Sequence, residues 1–161
     1  MSVSDWLRVF RAMHERAKQG GLSREDMDAY LAGCDELARA LMAAQKLAPR
    51  PGEAPRHALR VARAVQVDLE TPVSKVRSTT VDLGVTGFST ILAKAPPGGE
   101  ELTATMKLPG REPLVTAVLP AEARPQTGSV RVAFTFRKLP DADRAALEAL
   151  VIDTALSQLA A

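Results

Sequence analysis

Short runs in which apolar and polar residues alternate fill the chain between residues 64 and 137, and they constrain its fold more than any other feature. A period of two places successive side chains on opposite faces of a β-strand. The clearest run has apolar residues at every second position: Val130, Val132, Phe134 and Phe136. Turn-forming residues such as Gly98-Gly99, Pro109-Gly110 and Gly128 separate the runs. We therefore expect about six antiparallel strands that close into a small β-barrel.

Apolar residues at helical spacing mark both ends of the chain. They predict a helix from about residue 5 to about residue 18 with Ser4 as its N-cap, and a C-terminal helix that opens at Pro140. Ser23 is expected to cap a second helix. Its apolar positions step by four and three residues: Tyr30, Cys34, Leu37, Leu41 and Ala44. The first two helices predict an αα-hairpin, which cannot bury both faces by itself and must pack on the rest of the chain, on a copy of itself or on another protein.

A proline-rich segment separates the hairpin from the β-rich region. Residues 48–55 hold three prolines and one glycine, a composition that excludes regular structure and is typical of a linker. We therefore predict a helical hairpin extension at 1–47, a linker at 48–55 and a barrel domain with its C-terminal helix at 56–161.

Composition narrows the classes of function. Among 161 residues, 21 basic and 19 acidic side chains leave a formal charge of +2, which is too balanced for a protein that binds bulk nucleic acid. A single cysteine, Cys34, and the lack of any apolar run near the roughly 20 residues needed to span a bilayer predict a cytoplasmic protein. His14 and His57 lie far apart without a cluster of other ligands, so neither a metal site nor a catalytic site is expected.

Two polar motifs flank the first predicted strand. Arg56 and Arg60 are four residues apart, and guanidinium groups bind phosphates through two parallel hydrogen bonds and stack on bases. After the strand, Asp82 is followed by Gly84 and Gly87, where a carboxylate can accept from a base edge while the backbone approaches closely. Together the two motifs favour a site for an anion and a guanine.

This arrangement resembles the PilZ domain, a bacterial receptor for cyclic di-GMP (c-di-GMP), whose signature is R-x-x-x-R followed across a strand by [D/N]-x-S-x-x-G. The resemblance implies c-di-GMP as the ligand, without a further cofactor. It places Arg56 and Arg60 on phosphates and guanine faces, and Asp82 on a guanine edge. Gly87 then supplies a tight turn, with a positive φ as one option. Gly84 stands where the family has Ser, so one hydroxyl contact is missing.

The resemblance leaves two functions open. One is a non-enzymatic c-di-GMP receptor that relays the level of the messenger to a protein partner or a second copy through the hairpin. The other is a degenerate PilZ-like scaffold that binds no nucleotide and acts by protein contacts alone, as the Gly84 departure allows. A barrel that binds single-stranded nucleic acid is disfavoured, because only six aromatic residues are present and Phe134 and Phe136 fall on the buried phase of their strand.

Overall fold

The computed structural model describes residues 2–159, which fall into two compact units. One unit holds residues 2–59 together with 155–159, and the other is Arg60–Thr154. Met1 and residues 160–161, the outer ends of the predicted segments 1–47 and 56–161, lie outside the described residues.

The unit Arg60–Thr154 contains a closed antiparallel barrel of six strands in the order β1-β2-β3-β6-β5-β4. The strands are β1 Gln66–Glu70, β2 Lys75–Leu83, β3 Gly87–Leu92, β4 Leu102–Met106, β5 Leu114–Gln126 and β6 Ser129–Phe136. Helix α4, Asp141–Leu159, follows the last strand. The predicted barrel with its C-terminal helix is confirmed.

One apolar core fills the barrel. Phe88 of β3 stacks on Phe134 of β6 with ring centroids 5.3 Å apart, and both side chains are buried. The predicted inward face of β6 is confirmed, because Val132, Phe134 and Phe136 are buried and Val130 packs against the same cluster. Burial of such side chains stabilises a fold by about 1.5–3 kcal/mol each.

Two irregularities change which side chains of the barrel point outward. In β2 the register shifts between Thr80 and Asp82, and Thr80 and Leu83 are both buried although strict alternation would place them on opposite faces. In β5 the register shifts between Pro120 and Glu122. These β-bulges turn the ends of two strands so that Asp82 and Glu122 lie on the outer face.

The other unit contains α1 Val3–Lys18, α2 Arg24–Ala44 and the single turn α3 Pro55–Ala58. Ser23 caps α2 as expected, and its hydroxyl accepts from the Asp26 amide at 3.1 Å. The cap of α1 is Ser2 rather than the predicted Ser4, because Ser2 has the extended backbone that an N-cap requires. Within residues 2–159 no helix is long and apolar enough to cross a membrane.

The buried line of α2 differs from the predicted one in its second half. It runs through Tyr30, Cys34, Leu37, Ala38 and Met42. The predicted positions Leu41 and Ala44 are instead half-buried and exposed. A straight helix has 3.6 residues per turn, so a stripe read with a period of 3.5 drifts off the buried face after two heptads.

Candidate functional site

A row of aligned residues, three of them polar, crosses four neighbouring strands on the outer face of the barrel. The register aligns Asp82 of β2 with Ser89 of β3, Ser89 with Ala133 of β6, and Ala133 with Glu122 of β5. These residues line a cleft of about 270 Å³, which we call the barrel cleft. Its full lining is Asp82, Ser89, Glu122, Arg124, Arg131 and Ala133.

Asp82 is held between two arginines beside the barrel cleft. Its Oδ1 accepts from Nε and Nη2 of Arg60 at 3.0 and 2.8 Å, and its Oδ2 accepts from Nη2 of Arg131 at 2.8 Å. Arg60 Nη2 also lies 3.5 Å from the hydroxyl oxygen of Ser89. Charge-assisted contacts on both carboxylate oxygens fix the orientation of the group.

The backbone explains why Arg60 reaches this carboxylate. Val61 and Leu83 form an isolated antiparallel bridge, with two N–H···O bonds of 2.9 Å between their main chains. Arg60 and Asp82 each precede one of the two bridged residues, so their side chains lie diagonally across the bridge on the face opposite to Val61 and Leu83. The predicted motif residues Arg60 and Asp82 are therefore brought together.

Opposing effects act on the pKa of Asp82. Burial by itself raises the pKa of this carboxyl. The hydrogen bonds and positive charge of Arg60, with hydrogen bonds from Arg131 and Ser89, outweigh burial and hold the pKa below its usual value. Asp82 is therefore ionised at neutral pH.

The far side of the barrel cleft carries a second ion pair. Arg124 Nε lies 2.9 Å from Glu122 Oε1, and Arg124 stands directly opposite Arg131 across the β5–β6 ladder. Like charges at opposed positions repel each other unless counter-charges lie nearby. Arg60, Arg124 and Arg131 contribute three positive charges against two from Asp82 and Glu122, which leaves one positive charge in excess. The cleft can therefore bind an anion.

The turn at residues 84–87 closes the second motif. The Gly84 amide donates to the Gly87 carbonyl at 2.9 Å, and Gly87 pairs with Thr135 at the start of β3. The φ of Gly87 is not positive, so that option is wrong. Glycine is required instead because a Cβ at Gly87 would overlap the backbone carbonyl oxygen of Phe134.

Arg56, the first motif arginine, belongs to the other unit and lies on helix α3 rather than on irregular chain. Its Nη1 contacts Asp35 Oδ2 of α2 at 2.7 Å, and its main-chain amide donates to Asp35 Oδ1 at 3.1 Å. Proline at the first helical position favours this turn, since its fixed φ suits a helix start.

Sequence reasoning missed four residues of the cleft: Ser89, Glu122, Arg124 and Arg131. Arg131 and Ser89 lie on strands that were predicted, and only the pairing of β3 with β6 shows that they converge. Glu122 and Arg124 lie on the part of β5 that continues past the bulge to Gln126, where Pro120 and Pro125 interrupt the strand pattern.

Other basic residues near the motifs have ordinary roles. Lys75 and Arg77 lie beside Asp68, with Arg77 Nε 2.9 Å from Asp68 Oδ1. Arg77 and Lys75 lower the pKa of Asp68 below its usual value, chiefly through the Arg77 hydrogen bond. Among residues 2–159, no group of three or more His, Cys, Asp or Glu side chains is arranged to hold a metal ion.

The family model of the PilZ domain matches residues 54–153, which include both motifs and all six strands. The chain belongs to the PilZ domain family. PilZ domains are in general non-enzymatic receptors of c-di-GMP, and the match indicates no catalytic family. The predicted family is thereby confirmed. Comparison with curated proteins gave no match.

Solved PilZ structures share the barrel. The inhibitor of motility MotI/DgrA from Bacillus subtilis has a TM-score of 0.53 and 19% identity, over 63% of this chain and 50% of that one. YcgR from Escherichia coli in complex with c-di-GMP has a TM-score of 0.53 and 14% identity, over 63% of this chain and 46% of that one. The isolated PilZ domain of YcgR with c-di-GMP has a TM-score of 0.50 and 13% identity, over 63% of this chain and 91% of that one. This PilZ protein thus spans about half the length of MotI and of full YcgR. At these low sequence identities, the structural similarity shows a shared fold.

Proposed function

We propose that this PilZ protein is a non-enzymatic, cytoplasmic receptor that binds c-di-GMP at the barrel cleft. The observation that carries the proposal is Asp82, fixed in its ionised state between Arg60 and Arg131 at the end of β2. A rigid carboxylate beside guanidinium groups can accept from the edge of a guanine while the arginines bind phosphates. Two bound structures of the YcgR PilZ fold add support from the family.

The motif residues then have distinct roles. Arg60 and Arg56 bind phosphates and stack on guanine faces, and Asp82 accepts from a guanine edge. Gly84 and Gly87 carry no side chains, so the ligand can approach the backbone of the turn closely. Arg60 already donates twice to Asp82, so a phosphate must draw some of this hydrogen bonding away. Arg131 keeps the carboxylate in place during the exchange.

The scaffold alternative is favoured by one specific observation, the glycine at position 84. The absent hydroxyl removes a neutral hydrogen bond worth about 0.5–1.5 kcal/mol, which corresponds to an affinity lower by about threefold to tenfold. The contacts of Arg60, Asp82 and Arg131 involve charged groups, and hydrogen bonds to charged groups are worth about 1.5–3 kcal/mol each. The loss at Gly84 is therefore smaller than the contribution of the residues that are kept.

We further propose that residues 1–47 form the output surface, 48–55 the linker and 56–161 the receptor domain. The support is an apolar groove of about 440 Å³ on the helical unit, which we call the helical groove. Val3, Trp6, Leu37 and Leu41 contribute to its lining, and Val3 is 77% exposed. Exposed apolar surface of this kind suits a second copy of the chain or a protein partner.

Calorimetric titration of the full chain with c-di-GMP tests the ligand. We expect heat that saturates as c-di-GMP is added. The control is the mononucleotide GMP at the same concentrations, which should produce little heat. Absence of heat with c-di-GMP, while the chain is folded by circular dichroism, would favour the scaffold.

A further inference from the structure

Asp35 of α2 holds the first motif arginine through two separate contacts. One carboxylate oxygen lies 2.7 Å from Arg56 Nη1, and the other accepts from the Arg56 main-chain amide at 3.1 Å. The two side chains are only 20% and 23% exposed. An ion pair that is mostly shielded from water is screened weakly by salt and holds its partner more firmly than a surface pair does.

The position of Asp35 in the chain makes this pair distinctive. Asp35 lies outside residues 54–153, the part matched by the PilZ family. It belongs to the hairpin extension, 21 residues before Arg56. The extension thus supplies a carboxylate to a guanidinium that the proposed function assigns to a phosphate of the ligand.

We propose that Asp35 competes with the ligand phosphate for Arg56, and that it thereby sets the affinity of this receptor for c-di-GMP. The inference rests on the proposed function. Arg56 donates to Asp35 through Nη1, and a phosphate that is bound through two parallel hydrogen bonds of this guanidinium competes with the carboxylate for the donor. The apparent affinity is then reduced by the fraction of molecules in which Arg56 is held by Asp35.

The same competition couples the ligand to helix α2. Binding that draws Arg56 away from Asp35 breaks an ion pair between α3 and α2. By thermodynamic reciprocity, any change that weakens this ion pair strengthens binding of the ligand. The hairpin extension would sense the ligand through one ion pair.

The test is a calorimetric titration of c-di-GMP into the full chain and into Asp35→Asn, which removes the charge and keeps the shape. We expect Asp35→Asn to tighten the Kd by about threefold to tenfold, the range for loss of one competing hydrogen-bonded contact. Asp28→Asn is the matched control, because Asp28 is an exposed carboxylate on the same helix and its removal should leave the Kd unchanged.

A double-mutant cycle separates competition from a general effect of charge. In an Arg56→Ala background, Asp35→Asn should have no effect on the Kd, because the group for which Asp35 competes is gone. Equal affinities of Asp35→Asn and the parent, or a gain that persists without Arg56, would overturn the inference and leave the proposed function standing. If neither the parent nor any folded variant binds c-di-GMP, the proposed function fails and the inference fails with it.

Discussion

At the scale of single residues, Asp82 connects two segments of the chain that lie far apart in sequence. It accepts from Arg60, which precedes the barrel strands, and from Arg131 of β6. Its side chain is 22% exposed, so these ion pairs are better shielded than most surface pairs. Removal of Asp82 would leave two guanidinium groups close together without their shared counter-charge.

The lowered pKa of Asp82 predicts how stability depends on pH. The pKa is depressed in the folded state, so the unfolded chain binds the proton more readily, and the contribution of Asp82 to stability is complete above the unfolded value of about 3.9. This contribution is lost as the pH falls through the folded pKa. Asp82→Asn should therefore cost about 1–3 kcal/mol of unfolding free energy at pH 7, and less as the pH falls below about 4. Urea denaturation of both proteins across this pH range measures their free energies of unfolding. A difference between the two proteins that stays constant down to acid pH would contradict the prediction.

At the scale of elements, the bulges in β2 and β5 create the cleft by changing the phase of two strands. Asp82 and Glu122 each follow a register shift, and both then align with residues of the strands between them. Without the shifts, strict alternation would exchange the inward and outward faces at these strand ends. The close passage of β3 over β6 at Gly87 keeps this pairing in place.

The contact at Gly87 predicts a large effect from a small substitution. Gly87→Ala should destabilise the barrel by about 1–3 kcal/mol, because the new methyl group would overlap the Phe134 carbonyl oxygen and force the strands apart. Gly98→Ala is the control, since its Cβ would meet nothing within 4 Å, and its effect should stay within about 0.5 kcal/mol. Thermal unfolding of the two variants tests this prediction. Equal midpoints would show that β3 and β6 tolerate the extra methyl group.

At the scale of the whole molecule, the helical groove predicts self-association. Light scattering of the full chain should show an average mass that rises with concentration, because a groove with this lining buries apolar surface when a second copy covers it. Ala40→Glu, an exposed lining position, should reduce the mass, whereas Ala43→Glu, exposed on the same helix but outside the lining, should not. A monomer at every concentration, for all three proteins, would mean that a different partner or none covers the groove.

Much of this architecture could be predicted from the sequence, because alternation of period two is a local property that survives in the folded barrel. The strand β6 follows from such a pattern, and the approximate span of α1 follows from apolar residues at helical spacing. The cleft could not be predicted in full, since Arg131, Ser89 and Glu122 meet only through strand order and register, which no local pattern records. The Asp35–Arg56 pair was likewise missed, because a contact across 21 residues leaves no periodic trace.

Binding of c-di-GMP where Arg60 and Asp82 meet can be tested by comparing two arginine variants in the same titration. Arg60 donates to Asp82, whereas Arg63 carries the same charge three residues later and lies outside the motif. Arg60→Ala should weaken binding by at least about tenfold, the equivalent of one charge-assisted contact, and Arg63→Ala should leave the Kd within about twofold. Equal losses for the two folded variants, or binding by Arg60→Ala as tight as by the parent, would contradict the claim.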